Sequence, residues 1–359
     1  MVSQESETQR LKHETEIYSF NIYIIATMHN KVSSIYAFLL NTMVLLALAA
    51  CGNKTANTKS GTVENTVADV PEFNADSAFQ SIVTQCGFGP RVCETNAHEQ
   101  CGEYITKTFQ RYGMQVTRQE AEFKRYDGVT MKGFNIIAEN NPSAKDRVLI
   151  AAHWDSRPWA DNDENPDNHK KPIDAANDGA SGVAVMLELA RIIAEKAPST
   201  AVDFICFDAE DMGTPKWDEK VEDNEDTWCL GSQHWAQNPH HSQYEYGVLL
   251  DMAGGQGAHF SREGYSMRFA GHVVERVWNA ARNAGYSSYF PRSEGGYIMD
   301  DHIPVNQTAK IPMIDIVPYY PDGTGSFGPT WHTISDTPEN IDKNTLKAVG
   351  QTLLQLIYN

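Results

Sequence analysis

The sequence predicts a single-domain, three-layer α/β/α fold built on a central, mostly parallel mixed sheet. Two observations carry that prediction. Apolar runs of strand length, such as Val148–Ala152 and Ala201–Phe207, alternate with longer segments whose apolar residues recur at helical spacing. That alternation is the pattern of a largely parallel sheet covered by helices on both faces. Beyond the N-terminal segment, no repeat or linker divides the chain, and 359 residues suffice for one large α/β domain.

Residues 1–50 read as a signal peptide. Lys31 precedes the apolar runs Ile35–Leu40 and Met43–Ala50, which end in Leu48-Ala49-Ala50-Cys51. The run is short for a membrane span, and Asn41 interrupts it. Residues 1–27 are long and acid-bearing for such a peptide, so Met28 is the expected start of translation. The Cys51 junction resembles a bacterial lipoprotein signal. That resemblance implies a lipidated Cys51, a polar tether over 51–72 and a catalytic domain over 73–359. It also implies an exported protein on the periplasmic side of a membrane or at the cell surface, held there only by the lipid.

The formal net charge is −18, and residues 1–50 contribute little to it, so the folded part is acidic. Nucleic acid is excluded as a partner, because binding phosphates takes clustered Lys and Arg. Export permits disulfides. Of Cys86, Cys93, Cys101, Cys206 and Cys229, the pair Cys206–Cys229 is favoured, with Cys93–Cys101 as a second possibility.

Helices are expected over Asn74–Gln85, with Phe79, Ile82 and Val83 on one face, and over Asn96–Tyr112, with Asn96 as N-cap and Glu99 as its partner. Met114–Phe123 alternates like an edge strand. Phe134–Ala138 and Val148–Ala152 are the next strands, joined by the turn Asn140-Asn141-Pro142-Ser143. Val183–Ala194 is a strong helix that places Asp178 at a helix N-terminus, where backbone amides would fix its geometry. Strand 201–207 follows, then helix 231–236, strand 246–250, a long helix over 266–284, strand 311–317 and a final amphipathic helix over 342–358. The acidic loops 161–168 and 217–226 read as solvated.

Chemistry-bearing residues gather at strand ends. They are His153 and Asp155, Asp178, Glu210 and Asp211, Asp251, and His332. In open α/β sheets the crevice beyond the strand ends is where ligands bind. Adjacent carboxylates there repel unless a cation or a shared proton intervenes. Carboxylates with imidazoles are the ligand set of a catalytic zinc site, and Asp155 is spaced to orient His153. No G-x-S-x-G, Walker A, H-E-x-x-H or G-x-G-x-x-G pattern is present.

In this order, His153-x-Asp155, Asn177-Asp178-Gly179-Ala180-Ser181-Gly182, Glu210-Asp211, Asp251 and His332 resemble the zinc aminopeptidase superfamily. Within it, His153–Trp159, Asp300-Asp301-His302-Ile303-Pro304 and Trp331-His332-Thr333 look like glutaminyl-peptide cyclotransferases of the animal type as found in Bacteroidetes-like bacteria. The resemblance covers about residues 75–358. It implies one zinc per chain on Asp178, Asp211 and His332, with His153 and Asp155 as second-site or supporting candidates. It implies Glu210 as general base and acid, Asp251 and Asp301 as carboxylates around the reacting centre, and Trp331, Trp217 and Phe327 as the aromatic pocket. The substrates implied are peptides and proteins with N-terminal Gln, and the enzyme implied is monomeric. The animal enzymes carry Glu where this chain has Asp211. The alternatives are a two-zinc aminopeptidase, which would use His153 and Asp251 as extra ligands, and a catalytically silent binding protein.

Overall fold

A computed structural model describes residues 69–320 and 327–359. The expected signal peptide, Cys51 and most of the tether lie outside the described residues. The elements run α1 (Ala75–Gly87), α2 (Asn96–Arg111), β1 (Gln115–Lys124), β2 (Thr130–Glu139), β3 (Arg147–His153), α3 (Ala180–Glu195), β4 (Ala201–Phe207) and α4 (Leu230–Gln237). There follow β5 (Gly247–Leu250), α5 (Gly264–Asn283), a short α6 (His302–Pro304), β6 (Met313–Ile316) and α7 (Lys343–Ile357).

The sheet order is β1-β2-β4-β3-β5-β6. Strands β4, β3, β5 and β6 are mutually parallel, and β1 and β2 add an antiparallel edge. Every residue of β3 and β4 is buried. Alternate side chains serve opposite faces. Ile150, Ala152, Phe204 and Cys206 enter the larger core under α1, α2, α3, α5 and α7. Leu149, Ala151, Ile205 and Phe207 enter the smaller core, with Trp235 of α4 and Val305 after α6. Parallel strands covered on both faces lose the polar–apolar alternation, which is why these runs are apolar nearly throughout.

Three local expectations are corrected. The N-cap of α2 is Thr95, whose hydroxyl accepts the His98 N–H, while Glu99 pairs with Arg118 instead. Helix α3 starts at Ala180, and the Asp178 carboxylate is not held by helix amides. The N–H groups of Asn177 and Asp178 are bound by the Asp336 carboxylate, at 2.8 and 3.0 Å. All five described cysteines are free. Cys206 faces the large apolar core with Cys101, whereas Cys229 turns its thiol to Glu210 and Cys93 turns its thiol to Asp208. Neither expected pair faces its partner.

Candidate active site

The parallel strands deliver their C-terminal ends to one cleft, lined by Asp178, Glu210, Asp211, Trp228, Asp251, Ile298, Met299, Asp300, Phe327, Trp331 and His332. Each acidic residue arrives at an element boundary. His153 ends β3, Glu210 and Asp211 follow β4, Asp251 follows β5, and Asp178 precedes α3. Several backbones there are strained. Ala209 before Glu210, Met252 after Asp251, Cys229 and His332 all adopt left-handed φ between 50° and 55° without being glycine, a cost that persists only where surrounding contacts hold it. Gly179, at φ +104°, has no alternative: a Cβ there would lie 2.9 Å from the Asp155 carbonyl and 3.1 Å from the His153 ring.

Asp178, Asp211 and His332 converge. His332 Nε2 lies 3.0 Å from Asp211 Oδ1 and 3.6 Å from Asp178 Oδ2. Its Nδ1 lies 3.4 Å from Asp161 Oδ1, so the proton belongs on Nδ1 and Nε2 is left to bind. Arg157 grips Asp161 with two hydrogen bonds of 2.8 and 2.7 Å, and donates to the Asp211 carbonyl. Asp155 accepts the N–H groups of Glu210 and Asp211, one on each oxygen, at 3.0 and 3.3 Å. His153 sits on the other side of Asp178, with Nε2 at 3.1 Å from Asp178 and 3.3 Å from Asp251.

The electrostatics are those of an anion-rich hollow. Asp178 is pushed up to about 6, by burial first and then by Asp211 and Asp251. Glu210 lies well above the usual carboxylate range through burial and the adjacent Asp211. For Asp211, burial is outweighed by His332 and Arg157, so its carboxyl lies below the usual range. Asp178 Oδ2 and Asp211 Oδ2 are buried without a hydrogen-bond partner. Asp178, Asp211 and His332 each present a ligand atom within 4.8 Å of the others, and carboxylate oxygens beside an imidazole nitrogen are a donor set that fits zinc.

Several assignments change position or gain company. From the Asp300-Asp301 pair, Asp300 lines the cleft; Asp301, on which the sequence reading placed the role, is fully buried and does not line it. Trp217 does not line the cleft either. It packs 6.3 Å from Trp159, beneath Lys170. The second tryptophan of the wall is Trp228, stacked parallel to His332 at 6.3 Å, with Trp331 at 4.1 Å from the same ring and Phe327 4.7 Å from Trp331. Arg157, Asp161 and Trp228 were not singled out in the sequence. The nearest signal was Trp228 closing the acidic insert beside Cys229.

A profile of Peptidase family M28 matches residues 135–357. Among solved structures, Tannerella forsythia glutaminyl cyclase is 51% identical, with TM-score 0.78 over 80% of this chain and 99% of that chain. A leucine aminopeptidase precursor from Bacteroides thetaiotaomicron is 48% identical, with TM-score 0.78 over 82% and 99%. Among curated proteins, the glutaminyl-peptide cyclotransferase of Bos taurus is 28% identical over 251 residues, 61% of this chain and 64% of that protein. Aminopeptidase YwaD of Bacillus subtilis is 28% identical over 256 residues, 68% of this chain. The chain spans about half the length of YwaD, 49%.

Proposed function

The chain belongs to peptidase family M28, alongside the bacterial glutaminyl cyclases, and on that premise we propose that it converts N-terminal glutamine of peptides and proteins to pyroglutamate with release of ammonia. The observation that carries the reading is a cleft in which Glu210 stands beside the Asp178–Asp211–His332 donor set, walled by Trp228, Phe327 and Trp331. Those three donors would hold one zinc ion, which when bound polarises the γ-carbonyl of the glutamine side chain.

Glu210 takes a proton from the substrate's α-ammonium. The freed amine bonds to the δ-carbon of the side-chain carboxamide, and the bond from that carbon to the carboxamide nitrogen breaks. Of the two protons the attacking nitrogen sheds, Glu210 passes one to the departing nitrogen, which leaves as ammonia, and the other goes to water. Both reacting groups belong to one residue, so the protein's task is to orient them. Asp251 and Asp300 line the cleft as acceptors for the ammonium and the leaving nitrogen. Asp301 is fully buried outside the lining, its N–H donating to the Asp300 carboxylate. The aromatic wall limits water, which would divert the reaction to hydrolysis.

One observation favours a second reading. His153, Asp178 and Asp251 form another ligand-like group, as a two-zinc aminopeptidase would use. The products decide: a Gln-initiated and a Leu-initiated peptide are incubated with the purified protein, with and without chelator, and weighed. Loss of one ammonia from the Gln peptide, abolished by chelator, supports cyclisation. Release of free Leu or Gln without a cyclised product overturns it. We further propose export, with lipidation of Cys51, supported by the apolar run ending at Ala50. Fatty-acid labelling that survives Cys51→Ser would overturn that.

A further inference from the structure

Among the described residues, the Glu210 carboxylate receives one side-chain hydrogen bond, and its donor is a thiol: Cys229 Sγ lies 3.4 Å from Oε1. Cys229 holds the same residue a second time, its N–H donating to the Glu210 carbonyl at 2.9 Å. The next two amides continue the strap, Leu230 to the Ala209 carbonyl and Gly231 to the Asp208 carbonyl. The start of α4 is thereby fixed in register against the loop that carries the base. A Cβ on Gly231 would lie 2.3 Å from the Asp208 carbonyl, so the two segments are as close as backbones allow. Cys229 is fully buried and has φ 54°, in the left-handed region where glycine is the unstrained choice.

We propose that Cys229 is a positioning residue for the reaction: its thiol holds the Glu210 carboxyl in the orientation from which it takes and returns the proton. The inference rests on the role given to Glu210 above. A thiol is a weak donor. It aims the carboxylate without the strong grip that an amide or ammonium would exert on a group that must accept and release a proton each turnover.

The test compares wild-type protein with Cys229→Ala, Cys229→Ser and Cys206→Ala on a Gln-initiated peptide, with kcat and KM measured separately. Cys206 is equally buried but faces the apolar core, so it controls for lost volume. Cys229→Ala lowers kcat on the order of tenfold with KM within about twofold, as expected for one hydrogen bond to a charged group. Cys229→Ser restores most of kcat, and Cys206→Ala matches wild type. Wild-type kcat in Cys229→Ala, or an equal fall in the Ala and Ser proteins, overturns the proposal. Should Cys229→Ala not fold, the S–H stretching band of Cys229 is identified by infrared difference against Cys229→Ser. That band shifts in Glu210→Gln, and an unmoved band overturns the proposal. Failure of the cyclase reading shows separately, as absence of pyroglutamate from wild type. The variant-to-wild-type ratios are then read on the hydrolysis product.

Discussion

Strand β4 carries a buried acidic cluster at each end, and the two clusters differ in what surrounds their carboxylates. At the lower end, Glu139 and Asp203 face each other in register. Arg147 lies 2.5 Å from Asp203 and 3.8 Å from Glu139. Tyr244 bonds both Asp203 and His240, and His241 bonds Glu139 at 2.7 Å. The Trp235 N–H donates to His240 Nδ1, so the imidazole proton sits on Nε2, which faces Asp203 and is closed to a metal. At the upper end, oxygens of the cleft-lining Asp178, Asp211 and Asp300 lack partners. Both groups place His and carboxylate atoms within 4.8 Å of each other. Proximity therefore does not separate a metal site from a structural knot; the extent of internal pairing does. The lower cluster is paired within the protein except at Asp203 Oδ1, and the upper one, on the proposed reading, is completed by a cation and a substrate.

Removing the base or one ligand of the upper cluster has the largest effect. Glu210→Gln lowers kcat on the order of 10² to 10⁴-fold, and Asp178→Asn abolishes both zinc retention and turnover, as read by metal analysis and product formation. If either protein keeps wild-type activity, the upper cluster is not the site. The lower cluster responds in the opposite way. Arg147→Ala strands two buried carboxylates and costs about 3–5 kcal/mol of stability, measured by denaturant unfolding, while kcat of the folded protein is unchanged.

Smaller effects sharpen the picture. Asp155→Asn loosens the clasp on the Glu210 and Asp211 amides and lowers kcat/KM by about 10 to 100-fold, with the fold intact by circular dichroism. Trp228→Ala raises KM about fivefold through loss of an aromatic wall, whereas Trp217→Ala leaves KM unchanged. Equal effects would return Trp217 to the pocket. The smallest effect concerns pH. Burial alone would raise Asp203, but His240, Tyr244 and Arg147 outweigh it and hold the carboxyl below 3.8. Its contribution to stability is therefore complete above that value and drains away as pH falls through the lowered one. Asp203→Asn is less stable than wild type at neutral pH, and the gap narrows in acid unfolding below about pH 4. A gap independent of pH would contradict that.

Much of this was legible in the sequence. The apolar runs of β3 and β4 located the centre of the sheet, and the acids after β4 and β5 located the cleft, because a parallel sheet sends its strand ends to one side. What the sequence hid was direction. Asp300 and Asp301 are neighbours at a turn, where alternation no longer says which one faces the cleft. Trp217 and Trp228 bracket one insert, and only the folded loop shows that Trp228 returns over His332. Arg157 and Asp161 look like solvated loop residues, yet they orient His332. The favoured Cys206–Cys229 pair failed for the same reason: adjacency to one strand end does not fix the face on which each thiol emerges.

The Asp178–Asp211–His332 cluster at the upper end of β4 is the proposed metal centre. Anomalous diffraction at the zinc edge, from crystals of the purified chain supplied with zinc, tests it directly. The account predicts one strong peak per chain, bounded by Asp178, Asp211 and His332, and nothing among Glu139, Asp203, His240 and His241. A peak in the lower cluster, or none at the upper one, would contradict it.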